Sequence, residues 1–308
     1  FDGDSPTIPW GGREEFNFTP DNRGIAFTAR VAGKTEPWST NFDCWVAPVD
    51  GSAEPMNLTA DNLAWDTQPV FSPDGKTLAH LAMERAGYEA DRLRIILRKW
   101  DAKTMTAGEP MALTQEFDRS LHSIVFDAKG RNIFTHGDNL GQRALWKVDA
   151  KNGKVTELHS DGTVRGPAWA KDRIVFGLDH LRSPVELHTI KPDGKDFTRI
   201  TGINDAKLAL ARMGEPEQFT FEGAYGDEVY AYVVKPADFD PNQKYPVAFL
   251  IHGGPQGSFG NDFHYRWNPQ AYAGAGYAAV MVDFHASTGY GQAFSDAIRG
   301  DWGGAPLE

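Results

Sequence analysis

The sequence predicts a partial β-propeller of about four blades over residues 1–210, followed over 211–308 by the first part of a mostly parallel α/β sheet. Three observations carry this. A unit of aromatic residue, turn and short strand recurs four times; each copy is followed by a second strand-and-turn half; and beyond Gly214 the pattern becomes hairpin, apolar run, helix, apolar run.

The repeated units are Phe18-Thr19-Pro20-Asp21 before Gly24-Ile25-Ala26-Phe27, and Phe71-Ser72-Pro73-Asp74-Gly75 before Leu78-Ala79-His80-Leu81. Phe126-Asp127-Ala128-Lys129-Gly130 before Ile133-Phe134 is the third, and Trp169-Ala170-Lys171-Asp172 before Ile174-Val175-Phe176 the fourth. Their leading aromatics stand 53, 55 and 43 residues apart, a spacing suited to one four-stranded blade. The second halves close on Leu58-Thr59, Leu113-Thr114, Leu158-His159 and Ile200-Thr201. Pro-Asp-Gly marks a turn for physical reasons: proline presets φ, aspartate bonds its own backbone and glycine accepts positive φ. Propellers have four to eight blades, so the start at Phe1 leads to the expectation of earlier blades outside this chain.

After Gly214, Glu217 to Phe221 and Val229 to Val234 flank a turn at Gly226-Asp227 and read as an antiparallel hairpin. Val247-Ala248-Phe249-Leu250-Ile251 is a continuous apolar run of the kind buried on both faces of a sheet. It breaks into His252-Gly253-Gly254-Pro255, at the carboxyl end of a strand, where open α/β sheets bind ligands. Adjacent glycines let backbone approach a substrate, and their N–H groups can donate to a developing oxyanion. Trp267 to Ala275 reads as a short helix with Pro269 in its first turn and Gly276 as its stop; Ala278 to Phe284 reads as a second buried strand.

Composition excludes several classes. Hydrophobic residues at 41% and charged residues at 24% describe an ordinary globular chain. A net charge of −11 with no basic run disfavours nucleic acid. No apolar run approaches a membrane span, so no membrane partner is expected. The single Cys44 cannot form an internal disulfide and reads as a small strand hydrophobe. The nine histidines show no paired spacing beside carboxylates, so no metal is expected, and no cofactor.

The segments Ile251 to Gly257, Tyr265 to Gln270, Ser287-Thr288-Gly289-Tyr290-Gly291-Gln292-Ala293-Phe294 and Gly300-Asp301-Trp302-Gly303-Gly304 resemble the prolyl oligopeptidase family of serine peptidases. Its acylaminoacyl-peptidase and dipeptidyl-peptidase branch matches best, and Tyr88-Glu89-Ala90-Asp91-Arg92 extends the resemblance into the repeats. The resemblance implies a propeller capping an α/β-hydrolase domain, of which residues 211–308 are the N-terminal portion. It implies a Ser-Asp-His triad between the two domains, with the backbone N–H of Gly254 in the oxyanion hole and Gly253 beside the substrate. Relatives carry Arg-Gly where this chain has His285-Ala286, which makes His285, with Tyr290, a candidate for the substrate-facing rim. Exopeptidases of the family hold the substrate amino terminus with a propeller carboxylate, for which Glu84, Glu89 and Asp91, in a longer inter-strand insertion, are the candidates.

A hydrolase of this type places its nucleophile in Gly-x-Ser-x-Gly, and no serine of the chain has glycine at both positions. The expectation is therefore a triad supplied by sequence after residue 308, the partners being the remainder of the same protein and a short peptide substrate. The implied activity is release of dipeptides or blocked amino acids through an acyl-enzyme. An esterase or isopeptidase on the same fold, and a propeller that binds without turnover, are the alternatives. The resemblance suggests a periplasmic or secreted location, with the cytoplasm as the alternative.

Overall fold

The computed structural model describes residues 1–5 and 12–308. The chain divides into two compact units that do not follow chain order. The first comprises Phe1–Thr135 with Trp146–Thr156, and the second His136–Leu145 with Glu157–Glu308. The sequence boundary near residue 210 thus falls inside the second unit.

In the first unit, β1 (Phe16–Phe18), β2 (Gly24–Ala29), β3 (Asp43–Pro48) and β4 (Met56–Asn57) form one antiparallel sheet in chain order. A second sheet holds β5 (Asp66–Phe71), β6 (Thr77–Ala82) and β7 (Arg94–Asp101), with β8 (Thr106–Ala107) and β9 (Met111–Ala112) both pairing β7. Then β10 (Val125–Phe126) pairs the start of β11 (Asn132–Asn139); β11, β12 (Gln142–Asp149) and β13 (Val155–His159) each have residues in both units, the second taking His136–Leu145 and everything from Glu157. Each predicted aromatic-turn-strand unit is the first hairpin of such a group. Its turn works as the residue types require: Asp74 Oδ1 accepts from Ser72 Oγ at 2.7 Å and from Lys76 N at 3.1 Å, and Gly75 takes φ +69°. In the third unit Asp127 closes the turn in the same manner, accepting from Lys129 N and Arg131 N at 3.0 and 2.9 Å.

The core of this unit is apolar, with Leu78, Ala79, Leu81, Ile95, Ile133 and Phe134 fully buried. Cys44 is among them, and burial pushes its thiol well above 9.0, so it is a protonated strand residue as its sequence context suggests. One buried ionic chain interrupts the apolar packing. Arg98 Nε donates to His80 Nε2 at 3.3 Å, and His80 Nδ1 lies 3.1 Å from Asp66 Oδ1. Arg98 Nη2 also holds both oxygens of Asp61 at 2.7 and 2.8 Å, so the buried guanidinium has a full charge partner.

In the second unit, β14 (Thr163–Ala170), β15 (Arg173–His180), β16 (Ser183–Ile190) and β17 (Thr198–Arg199) form an antiparallel series, with β14 meeting β12 in parallel through Arg143 and Thr163. Glu186, 2% exposed, ties the loop after β17 to β16 by accepting from Thr201 Oγ1, Ile203 N and Asn204 N at 2.5, 3.2 and 2.9 Å. The one-turn helix α1 (Asp205–Leu208) follows.

A separate sheet then runs in the order β18 (Pro216–Glu222), β19 (Glu228–Val234), β21 (Ala278–Asp283), β20 (Val247–Leu250). The β18–β19 hairpin and the β19–β21 pair are antiparallel, and β20–β21 is parallel from Val247 and Ala278 to Leu250 and Met281. The crossover carries α2 (Pro269–Gly274), shorter than predicted because Asn268 caps it, its Oδ1 accepting from Gln270 N at 2.9 Å. Ala273 of α2 packs on Tyr232, Val234, Ala279 and Met281. The expectation that β20 is buried on both faces is corrected: among the described residues it has one strand neighbour, and Val247, Phe249 and Ile251 are 60, 57 and 67% exposed. Its apolar run is suited to an interior strand, but its place in the order is an edge.

Candidate active site

Parallel strand β20 delivers His252-Gly253-Gly254 at its carboxyl end. Among the described residues, neither Gly253 N nor Gly254 N donates a hydrogen bond, so both N–H groups are free for an external acceptor. The turn demands glycine at Gly254: φ is +140°, and a Cβ there would stand 2.5 Å from both N and O of Gln256. At Gly253 a Cβ would meet nothing, so that face of the backbone is open to a ligand.

His252 anchors the turn. Its ring stacks on Phe284 with centroids 4.5 Å apart, Nδ1 lies 2.9 Å from Gly253 O, and Nε2 lies 2.9 Å from Ser287 Oγ. Asp283 Oδ1 approaches the same Nε2 at 3.7 Å. Serine, histidine and aspartate therefore converge without forming a catalytic relay, since a relay needs the carboxylate on the nitrogen opposite the serine. Ser287 is also fully buried, beyond the reach of a substrate. Asp283 organises the cluster: Ser258 Oγ, Tyr290 Oη and Phe259 N donate to it at 2.5, 2.6 and 3.0 Å. Burial raises its carboxyl above the ordinary range, and these donors with His252 counter the rise. Burial and Asp283 likewise raise the Tyr290 phenol.

Beside the turn lies a cavity of about 520 Å³, bounded by Phe249, Ile251, His252, Ser258, Trp267 and Tyr272 among others. Its walls are mostly apolar, with the open backbone of Gly253 at the margin, the composition of a small-molecule or peptide pocket.

Of the residues singled out from sequence, Gly253, Gly254 and Tyr290 come together here, Tyr290 through Asp283. His285 is 1% exposed, with Nε2 3.1 Å from Asp227 Oδ2 and its ring stacked on Phe294 at 4.3 Å. Glu84, Glu89 and Asp91 belong to the other compact unit. Asp91 is 7% exposed and organises its own loop, accepting from Glu84 N, Arg85 N and Arg85 Nε at 2.7, 2.9 and 2.6 Å. Glu84 receives Arg94 Nη1 at 2.9 Å, and Glu89 is exposed. Sequence reasoning passed over Asp283 and Ser258. A carboxylate ending the apolar run Ala278 to Val282 was the available signal.

The family model described as Prolyl oligopeptidase family matches residues 263–308. Dipeptidyl-peptidase 5 of Aspergillus fumigatus is 31% identical over 320 residues, covering 99% of this chain and 44% of that protein. Dipeptidyl-peptidase 5 of Porphyromonas gingivalis is 29% identical, covering 98% and 43%. The solved acylaminoacyl peptidase of Pyrococcus horikoshii superposes with a TM-score of 0.72 at 20% identity, over 91% of this chain and 41% of that one. The chain thus spans less than half the length of these relatives.

Proposed function

This chain belongs to the prolyl oligopeptidase family, and from that premise we propose that it forms a portion of a serine exopeptidase cleaving short peptides through an acyl-enzyme. In this reading the four antiparallel groups β1 to β17 are blades of a propeller that restricts entry to peptides, and β18 to β21 with α2 begin the hydrolase sheet. Serine, aspartate and histidine come from sequence beyond residue 308. The nucleophile attacks the scissile carbonyl, histidine takes the hydroxyl proton and returns it to the leaving amine, and the N–H of Gly254 holds the oxyanion.

The observation that carries the reading is the pair of unengaged N–H groups on Gly253 and Gly254 at the carboxyl end of a parallel strand. The bare edge of β20 supports it further, because a parallel strand leading to a Gly-x-Ser-x-Gly elbow would pair there and bring the serine to those amides. The test is a full-length protein treated with a fluorophosphonate and assayed on dipeptidyl and acyl-aminoacyl chromogenic amides. Labelling of one serine with turnover of dipeptidyl amides is expected. Labelling with hydrolysis of esters alone would replace the peptidase reading, and no labelling would remove the catalytic one.

A further inference from the structure

The segment that follows the glycine turn is bonded at nearly every residue to the rest of the second unit. Gly257 O accepts from Thr288 N at 2.8 Å, and Ser258 and Phe259 donate to Asp283. Asn261 then uses all of its polar groups. Its N donates to Gly141 O at 2.7 Å and its O accepts from Thr163 Oγ1 at 2.9 Å. Its side-chain Oδ1 accepts from Leu181 N at 2.9 Å, and Nδ2 donates to Gln142 Oε1 at 3.1 Å. Beyond it, Asp262 receives Arg165 Nη2, and Phe263 N donates to Asp179 Oδ1 at 2.9 Å. The partners of Asn261, Asp262 and Phe263 come from the β11–β12 turn, β12, β14, β15 and the turn between β15 and β16.

The turn itself has little to hold it. With no hydrogen bond from Gly253 N or Gly254 N, the position of those groups is set by the clamps at its two ends. Upstream, His252 is fixed by Ser287 and Phe284. Downstream, beyond the ties of Gly257, Ser258 and Phe259 to Thr288 and Asp283, Asn261 is the first residue among those described whose side chain hydrogen-bonds the β12–β16 region, joining Gln142 of β12 to Leu181 in the β15–β16 turn. We propose that Asn261 is a positioning residue for the oxyanion amides: by pinning the downstream end of the turn to β12 and to the β15–β16 turn, it holds Gly254 N where an oxyanion forms. This rests on the reading of Gly254 as an oxyanion donor.

The test uses the full-length protein and its Asn261→Ala and Asn261→Asp variants, assayed on a dipeptidyl chromogenic amide and with a fluorophosphonate. Displacement of a reacting group by about 1 Å costs up to roughly 100-fold, so Asn261→Ala is expected to lower kcat by about 10- to 100-fold while KM stays within about twofold. The phosphonylation rate falls in parallel, because the phosphonyl oxygen needs the same amides. Asn261→Asp keeps the acceptor for Leu181 N and recovers a fraction of both rates. Unchanged kcat and phosphonylation in a variant with a lowered Tm would overturn the proposal. Should the parent protein neither turn over nor label, the peptidase reading falls and a crystal structure of Asn261→Ala decides this one. A shift of Gly254 N beyond about 0.5 Å, the tolerance of a preorganised site, supports positioning, and an unmoved turn overturns it.

Discussion

At the scale of single residues, the site is a matter of which backbone groups stay unused. Gly254 combines a positive φ with a Cβ position already occupied by Gln256 backbone, so Gly254→Ala must rearrange the turn. The expected result in the full-length protein is a kcat lower by about 100- to 1,000-fold, the loss seen when one oxyanion donor is removed, with Tm nearly unchanged because the turn is exposed. Steady-state kinetics beside a thermal melt checks both halves. The turn at the two glycines was legible in the sequence, because a glycine pair that breaks an apolar run marks the end of a strand. Asn261 was not, since a polar loop residue shows no pattern and its side-chain partners lie 80 and 119 positions away. His285 drew notice as a departure from the resembling motif, and its burial against Asp227 and Phe294 could not be read from one sequence.

Among the elements, the hairpins of the repeated units were the most legible, because each depends on contacts a few residues apart and on turn chemistry written locally, as Asp74 and Asp127 illustrate. Strand β20 was less so: its apolar run reports suitability for an interior place, while its neighbours are fixed by sheet order. An exposed apolar edge pairs with whatever backbone is available. The 308-residue chain is therefore expected to self-associate with rising concentration, and Phe249→Lys to reduce that association, as sedimentation velocity would register. The loop after β17 depends instead on a charge. Burial alone would raise the Glu186 carboxyl, but donors from Thr201, Asn204 and Ile203 outweigh it and hold the group at about 2, below its ordinary 4.5. A depressed folded value means that the stabilisation is complete above pH 4.5 and is lost as pH falls toward 2. Acid titration of Tm should show a descent through that window that is shallower in Glu186→Gln, and identical curves would remove Glu186 as its source.

Across the whole chain, the second unit gathers residues that the sequence scatters. The tip of the β11–β12 hairpin reaches the β18–β19 hairpin, where Leu140 O accepts from Gln218 Nε2 at 2.8 Å and Gln142 Nε2 donates to Tyr232 Oη. Gly141, at φ +73°, has no room for a side chain: a Cβ would stand 2.7 Å from Gln218 Nε2 and 3.2 Å from the Tyr232 ring. Gly141→Val is expected to destabilise the fold by about 1–3 kcal/mol, the range for overpacking, as a chemical-denaturation midpoint would show. The partition of the chain into two units was not legible, because compactness depends on such distant contacts, which hydrophobic periodicity does not encode. The bonds of Asn261 carry a consequence for biosynthesis. Its partners leave the ribosome at least 80 residues earlier, and pairings of that span form slowly during folding. The loop that runs from His252 to Asn261 is thus fastened last, after strands made far upstream have already found their places, so the glycine turn is among the final features of the second unit to settle.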